Sequence, residues 1–225
     1  MPTAFEEITI GYKIASLIFE VGRASTNTLK SRFAKSSYRV ISSLTTLEFS
    51  FEGNDQVTSW VQDRTVKITR DETHFPPFTF GTDGQDSIEA VLINGSPVPH
   101  ELIEKDPQRG MIVGPRERYI YNKNDILRCT MQAKSVNGFT KSSERFEMTV
   151  TKQMDSATVF LIFPSERLPK TLRALYHKGT DSSVDWRDVK REKNELRQFT
   201  GGRKAFILEA LNPPIGHEYR IAWDW

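Results

Sequence analysis

The chain has 225 residues and a mass of 25.8 kDa, a length that suits two β-rich domains of about 100 residues each. Hydrophobic residues make up 37% of the chain and charged residues 27%, with 14 Phe, 6 Tyr and 4 Trp. This much apolar and aromatic material excludes a chain that is disordered throughout.

The sequence also argues against a membrane-spanning helix, a cysteine-based framework and a secretory signal. The longest dense apolar stretch, 157–163, ends at Pro164 and is too short for a membrane-spanning helix. Cys129 is the single cysteine, which excludes an intrachain disulfide framework and a zinc site built from several cysteines. Glu6 and Glu7 make the N-terminus acidic where a secretory signal would be basic. A reducing, cytoplasmic setting is therefore expected.

The net charge of +2 conceals an uneven distribution. Residues 47–107 hold 12 Asp/Glu and 4 Lys/Arg, whereas residues 108–225 hold 14 Asp/Glu and 21 Lys/Arg. The acidic segment and its basic neighbours could complement each other within the chain or face different partners. The simpler interpretation is that these charges lie on solvent-exposed faces that alternate along the chain.

The N-terminal region has the apolar spacing of a helix. Its apolar residues recur at i, i+4, i+7, i+8 and i+11, which lie on one helical face. These residues are Ile10, Ile14, Leu17, Ile18 and Val21. The spacing predicts one kinked helix or two short helices over residues 5–36. Their apolar stripe either covers the rest of the fold or docks onto a partner subunit.

After Ser37 the apolar period changes to two, which is typical of strands with one exposed face. In the clearest case Leu47, Phe49 and Phe51 alternate with polar residues. Strands predicted from such alternation or from short apolar runs span 47–52, 66–69, 88–93, 126–136, 146–151, 159–163, 172–176, 205–211 and 219–225, and the run 159–163, apolar on both faces, suggests a central or doubly covered strand. The dipeptides Asn94-Gly95 and Asn137-Gly138 each predict a hairpin turn.

Other stretches lack this alternation. Proline and glycine residues predict a long loop over 71–86 and irregular chain over 97–111. Residues 183–199 are ambiguous, because Ser183 or Asp185 could cap a polar helix whose mixed charges suggest a solvated face.

Closely spaced strands, hairpin turns and few helices favour a mainly β fold. We expect an immunoglobulin-like antiparallel β-sandwich with an N-terminal α-helical segment. The expected division is a helical segment over 1–37, a first β unit over 38–115 and a second, immunoglobulin-like unit over 116–225.

One short stretch resembles a known structural motif. Leu211-Asn-Pro-Pro-Ile-Gly-His-Glu-Tyr219 looks like the leucine–proline–tyrosine corner of fibronectin type III and related immunoglobulin-like domains. In those folds the tyrosine hydroxyl bonds to upstream backbone and fixes the crossing between sheets. The resemblance implies that Tyr219 is a structural corner residue, although Leu211 lies two residues farther from it than in that family.

The sequence contains no common catalytic or cofactor motif. Its four histidines lack the i, i+2 and i, i+4 spacings of metal ligands. A nucleophile elbow and the glycine motifs of nucleotide sites are also missing. Cys129 alternates in phase with Leu127 and Met131, which predicts a buried structural thiol. We therefore expect a non-enzyme that holds no cofactor and no metal.

A basic patch raises the possibility of nucleic-acid binding. Four cations lie within ten residues, with Phe33 and Tyr38 between them. The cations are Lys30, Arg32, Lys35 and Arg39. They could neutralise phosphates while the rings stack on bases.

The favoured hypothesis is a non-catalytic β-sandwich binding or sensing module that interacts with a protein partner, a second copy of itself or a ligand. Its helix-plus-sandwich pattern resembles that of bacterial accessory and defence-associated proteins, which implies a component of a multi-protein system. The alternative is a nucleic-acid-binding protein that uses the basic helix around residues 30–39.

Overall fold

A computed structural model describes residues 36–106, 110–178, 186–189, 194–198 and 202–225. These residues form a mainly β protein with several sheets. The strands in chain order are β1 (Tyr38–Glu52), β2 (Asp55–Ile68), β3 (Thr73–His74), β4 (Phe78–Phe80), β5 (Gln85–Ile93), β6 (Ser96–Val98), β7 (His100–Asp106), β8 (Gly110–Pro115), β9 (Ile120–Tyr121), β10 (Ile126–Val136), β11 (Ser143–Thr149), β12 (Ser156–Phe163), β13 (Thr171–Lys178), β14 (Arg187–Asp188), β15 (Asn194–Gln198), β16 (Lys204–Leu211) and β17 (His217–Asp224).

The predicted N-terminal helical segment, residues 1–37, lies outside the described residues except for Ser36 and Ser37. It stays a prediction. Among the described residues, none belongs to a helix with the length and apolar content that a bilayer crossing demands.

The largest sheet has eight strands in the order β15-β16-β12-β1-β2-β10-β5-β6. At its centre β1 and β2 form a hairpin, and Gly53 (φ 66°) supplies the left-handed backbone of the turn. The pairing of β1 with β12 is parallel, whereas the other pairings in this sheet are antiparallel. The sheet is therefore mixed, which corrects the expectation of antiparallel strands throughout. Residues 159–163 of β12 are all buried, and a continuous apolar run of this kind is typical of strands that pair in parallel and are covered on both faces.

Smaller sheets cover the inner face of the large one. They have the orders β11-β17-β13-β14, β4-β8-β7 and β3-β9. The ring of Trp60 on β2 lies 5.7 Å from Phe146 of β11 and 4.8 Å from Phe80 of β4, between ring centroids. Phe49 on β1 lies 5.6 Å from Trp223 of β17. The sheets thus share one aromatic core.

The two predicted hairpin turns have different outcomes. Asn94 and Gly95, with φ of 51° and 83°, connect the paired strands β5 and β6, which confirms the first. The second, at Asn137-Gly138, is wrong because β10 pairs with β2 and β5, whereas β11 pairs with β17 in another sheet. There the chain crosses between sheets, and Gly138 packs so tightly that a Cβ would lie 2.5 Å from the Thr82 hydroxyl.

Three stretches predicted without strands contain them. The predicted loop 71–86 is wrong in part, because it holds β3, β4 and the first residues of β5. The irregular stretch 97–111 includes all of β7, which pairs with β8 at the edge of its sheet, where nearby prolines are tolerated. In the stretch 183–199, the described residues 187–188 and 194–198 are strands rather than a polar helix. Pairing of β15 with β16 outweighs the helical spacing of the charges.

The large sheet takes strands from both sides of the predicted boundary at residue 115. β1, β2, β5 and β6 precede that residue, and β10, β12, β15 and β16 follow it. The two segments therefore share a sheet, and their division into separate units stays a prediction.

Candidate functional site

Four polar side chains lie next to one another on the inner face of the large sheet. Ser43 of β1 pairs with Arg64 of β2, and Thr45 pairs with Gln62. Directly paired residues place their side chains on the same face of a sheet. All four are 0% exposed. We refer to these four residues as the polar cluster.

A β-bulge turns two members of the polar cluster inward. The register of β1 against β2 shifts by one residue between Val40 and Ser42. A one-residue shift reverses which side chains face the core. Ser43 and Thr45 therefore share the inner face with Val40, whereas Leu44 faces outward into a separate small apolar group.

The guanidinium of Arg64 is enclosed by aromatic rings. Its Cζ lies 3.9 Å from the ring centroid of Phe78 and 5.8 Å from that of Phe75, distances at which cation–π attraction operates. Its Nη1 donates a hydrogen bond of 2.9 Å to the carbonyl oxygen of Pro77. Among the described residues, the other two nitrogens, Nε and Nη2, have no hydrogen-bond partner at ordinary distance, although the thiol of Cys129 lies close enough to the guanidinium to affect its pKa.

Within the described residues, no carboxylate forms an ion pair with Arg64. Asp63, the next residue in sequence, faces the other side of the sheet and pairs with Arg128, whose Nη2 lies 2.5 Å from it. Burial lowers the pKa of Arg64, because desolvation disfavours the charged form. A buried charge without a counter-ion costs several kcal/mol.

Cys129 lies beside Arg64, with which it pairs in register. Its side chain is 0% exposed, which confirms the predicted buried thiol. Burial raises the pKa of Cys129 to about 11, although the neighbouring Arg64 acts in the opposite direction. At neutral pH the thiol is protonated, so it neither balances the arginine charge nor serves as a strong nucleophile.

Tyr121 adds a further polar atom close to this region. Burial and, to a smaller extent, the neighbouring Cys129 raise its pKa to about 12. Its hydroxyl oxygen is buried and has no hydrogen-bond partner among the described residues.

Residues 75–80, which include β4, form a cover over the polar cluster. Arg64 holds the carbonyl of Pro77, and the Nε2 of Gln62 donates a hydrogen bond of 3.3 Å to the carbonyl oxygen of Thr79. Two side chains of the cluster thus fix the cover through its backbone. Further buried oxygen atoms of the cluster have no hydrogen-bond partner within the described ranges. They are Ser43 Oγ, Thr45 Oγ1 and Gln62 Oε1.

The polar cluster therefore combines a buried positive charge, two hydroxyl groups and an amide oxygen. Buried polar atoms of this kind are normally satisfied by protein, ordered water or a ligand. The hydrogen-bonding groups that remain, together with the positive charge of Arg64, match the chemistry of a small polar molecule that carries a negative charge. Among the described residues, no group of three or more His, Cys, Asp and Glu side chains is placed to hold a metal ion.

The basic residues singled out from the sequence are only partly described. Lys30, Arg32 and Lys35 lie outside the described residues. Arg39 is at the start of β1 with a side chain that is 43% exposed, and it forms a two-point ion pair with Asp155 at 3.0 and 2.5 Å. Nucleic-acid binding through these four residues stays a prediction.

The proposed corner residue Tyr219 lies in β17, an inner strand of the four-stranded sheet. It pairs with Met148 of β11 and with Tyr176 of β13. Leu211 is the last residue of β16 and is 63% exposed. Burial raises the pKa of Tyr219. The corner role of Tyr219 stays a prediction.

Sequence reasoning missed the polar cluster, although part of the signal was present. Trp60, Gln62, Arg64 and Val66 alternate, so a strand at this position places the two polar residues on the same face as the two apolar ones. The contribution of β1 gave no such signal, because the bulge breaks the alternation before Ser43.

Comparison with known proteins identifies no family for this chain. No family model matches it, and no curated protein is significantly similar in sequence. Among solved structures, an M1 zinc metallopeptidase from Deinococcus radiodurans is 11% identical, with a TM-score of 0.46, over 82% of this chain and 42% of that one. Native leukotriene A4 hydrolase from Saccharomyces cerevisiae is 12% identical, with a TM-score of 0.46, over 99% of this chain and 33% of that one. The chain spans less than half the length of either structure.

Proposed function

We propose that this chain is a non-catalytic, immunoglobulin-like β-sandwich binding or sensing module that receives a small ligand at the polar cluster. The observation that carries the proposal is the fully buried Arg64, two of whose guanidinium nitrogens have no hydrogen-bond partner in the part of the chain that the structure describes. A ligand that accepts their hydrogen bonds removes most of the energetic cost of burying them.

A purely structural role for the polar cluster accounts for only part of the arrangement. Arg64 and Gln62 do fix the cover through Pro77 and Thr79. That role uses one nitrogen of each side chain and leaves the hydroxyls of Ser43 and Thr45 unused. Valine or alanine in place of these two residues would give a core of similar volume without the desolvation cost.

Binding at this site requires the cover to move, because all four side chains are 0% exposed. Opening of residues 75–80 breaks the two side-chain hydrogen bonds to Pro77 and Thr79. A ligand that enters therefore couples its own binding to the position of β4 and of the three-stranded sheet that contains it. Such coupling suits a sensing module.

Native mass spectrometry of the purified chain tests the proposal. We expect a non-covalent adduct above the chain mass of 25.8 kDa, which collisional activation removes. Thr45→Val removes a hydroxyl from the polar cluster without a change in shape, and it should reduce the fraction of chains that carry the adduct.

Thr58→Val is the matched control. Thr58 is also 0% exposed on the inner face of β2 and its hydroxyl also has no hydrogen-bond partner among the residues that the structure describes, but it lies six residues, about 20 Å, along the strand from Arg64. This variant should keep the adduct. A wild-type chain without an adduct, or equal loss in both variants, would contradict the proposal.

A further inference from the structure

The two unpartnered nitrogens of Arg64 form a defined recognition edge. Nε and Nη2 lie on the same side of the guanidinium group, and their N–H bonds point in parallel. This fork matches the two oxygens of a carboxylate or phosphate. The third nitrogen, Nη1, is held by the carbonyl of Pro77 at 2.9 Å, which orients the fork within the core.

Elsewhere in this chain the same edge of arginine holds a carboxylate. In Arg39, Nε and Nη2 donate to the two carboxylate oxygens of Asp155 at 3.0 and 2.5 Å. In Arg128, Nε and Nη2 donate to Asp63 at 3.0 and 2.5 Å. Arg64 presents this edge in a fully buried position, where an ionic hydrogen bond is stronger than at the surface.

The geometry points to a ligand carboxylate bound by Nε and Nη2 of Arg64, with the hydroxyl of Ser43, directly opposite on β1, as an additional donor. This inference rests on the proposed function and names its ligand class. The carboxylate supplies the single negative charge that one guanidinium requires. A phosphate carries about −1.5 to −2 near neutral pH and would leave an unbalanced charge in the core.

The surroundings of the fork suit a carboxylate attached to an apolar body. The ring of Phe78 covers one face of the guanidinium at 3.9 Å. Met131 pairs with Gln62 and is 0% exposed, and Phe75 is 8% exposed. Apolar groups around the fork lower the local dielectric and strengthen the pairing of the two charges.

Thermal unfolding of the full chain with matched small probes tests this inference at constant ionic strength. The probes are benzoate, its neutral analogue benzamide, and inorganic phosphate. We expect benzoate to raise the melting temperature in a saturable way and benzamide and phosphate to leave it unchanged. Arg64→Lys keeps the charge but removes the fork, and should weaken the apparent affinity for benzoate about tenfold or more. Arg39→Lys alters a fork that is already occupied by Asp155, and should leave the affinity unchanged.

The other outcomes separate this inference from the proposed function. If phosphate stabilises the chain and benzoate does not, the carboxylate assignment is wrong while a ligand site remains. If benzamide acts as well as benzoate, recognition of an oxyanion is wrong. If no probe acts and the native chain still carries an adduct that depends on Thr45, only the carboxylate inference fails. If the adduct is also missing, both fail. Should Arg64→Lys not fold, loss of the benzoate effect in Ser43→Ala tests the same contact.

Discussion

The inner face of the large sheet has two regions that follow each other along β1. Toward the end of β1, five aromatic rings pack with centroid distances of 5.4 to 6.0 Å. They are Phe49, Phe139, Phe163, Trp223 and Trp225. Nearer its start lies the polar cluster. Thr45 and Phe49 are separated by only four residues, about 13 Å of strand, yet their surroundings differ in polarity and in hydrogen bonding.

The aromatic region is held mainly by ring packing, and Nε1 of Trp223 is its one buried donor without a hydrogen-bond partner among the described residues. Several of its ring pairs are edge-to-face, such as Phe49 with Trp225 at 90°, an arrangement that adds to the gain from burial. The indole of Trp225 donates a hydrogen bond of 3.0 Å to the carbonyl oxygen of Phe139. The polar cluster instead leaves several donors and acceptors without a partner in the part of the chain that the structure describes. The aromatic region is therefore expected to stabilise the fold, whereas the polar cluster costs stability, which under the proposed function is the cost of binding a ligand.

The largest expected effect is a cavity in the aromatic region. Phe49→Ala removes a ring that is 2% exposed and contacts four other rings. It should lower the free energy of unfolding by about 3 to 5 kcal/mol, measured by urea denaturation. Leu211→Ala, at a side chain that is 63% exposed, should cost less than about 0.5 kcal/mol. Similar losses in both variants would contradict the role given to the aromatic region.

Removal of the charge from the polar cluster should raise the free energy of unfolding or leave it unchanged, in contrast to the cavity in the aromatic region. Arg64→Met replaces a buried guanidinium by an apolar side chain of similar length. In the ligand-free chain the free energy of unfolding should change between zero and a gain of about 2 kcal/mol. A loss of 3 kcal/mol or more would mean that the contacts of Arg64 with Pro77 and Phe78 hold the fold, and that the two regions do not differ as described.

The thiol beside Arg64 makes the polar cluster sensitive to alkaline pH. Burial raises the pKa of Cys129 from 9.0 to about 11, so the unfolded chain loses this proton before the folded one. The contribution to stability is complete below pH 9 and is lost as the pH rises toward 11. Relative to Cys129→Ala, the wild-type chain should lose on the order of 1 kcal/mol over this range, measured by urea denaturation at each pH. Equal pH dependence in the two proteins would argue against a buried, protonated thiol.

The smallest effect is expected at the basic residues singled out from the sequence. Replacement of Lys30, Arg32, Lys35 and Arg39 by glutamine should change the free energy of unfolding by a few tenths of a kcal/mol for each residue. Arg39 loses its ion pair with Asp155 at a side chain that is 43% exposed, where water screens the interaction. A binding titration with a nucleic acid serves as a second measurement. Micromolar affinity that this change abolishes, with a reduced salt dependence, would establish nucleic-acid binding through residues 30–39.

Local patterns were sufficient for several strands, one turn and the burial of one side chain. Alternation in 126–136 predicted β10 and the buried Cys129 because the side chains of a strand alternate whatever its partner. Asn94-Gly95 predicted the turn between β5 and β6 because few other dipeptides adopt its backbone angles without strain. These features depend on neighbours in sequence, and so the amino-acid sequence by itself determined them.

Other features depend on partners distant in sequence, and only the tertiary structure decided them. The parallel pairing of β1 with β12 and the transfer of β11 to another sheet follow from how the connections run, which alternation does not encode. The inward turn of Ser43 and Thr45 depends on a bulge that is visible only against β2. Whether Arg64 has a counter-charge depends on the side chains that β10 and the cover bring beside it. Its sequence neighbour Asp63 could not supply one, because adjacent residues of a strand face opposite sides of the sheet.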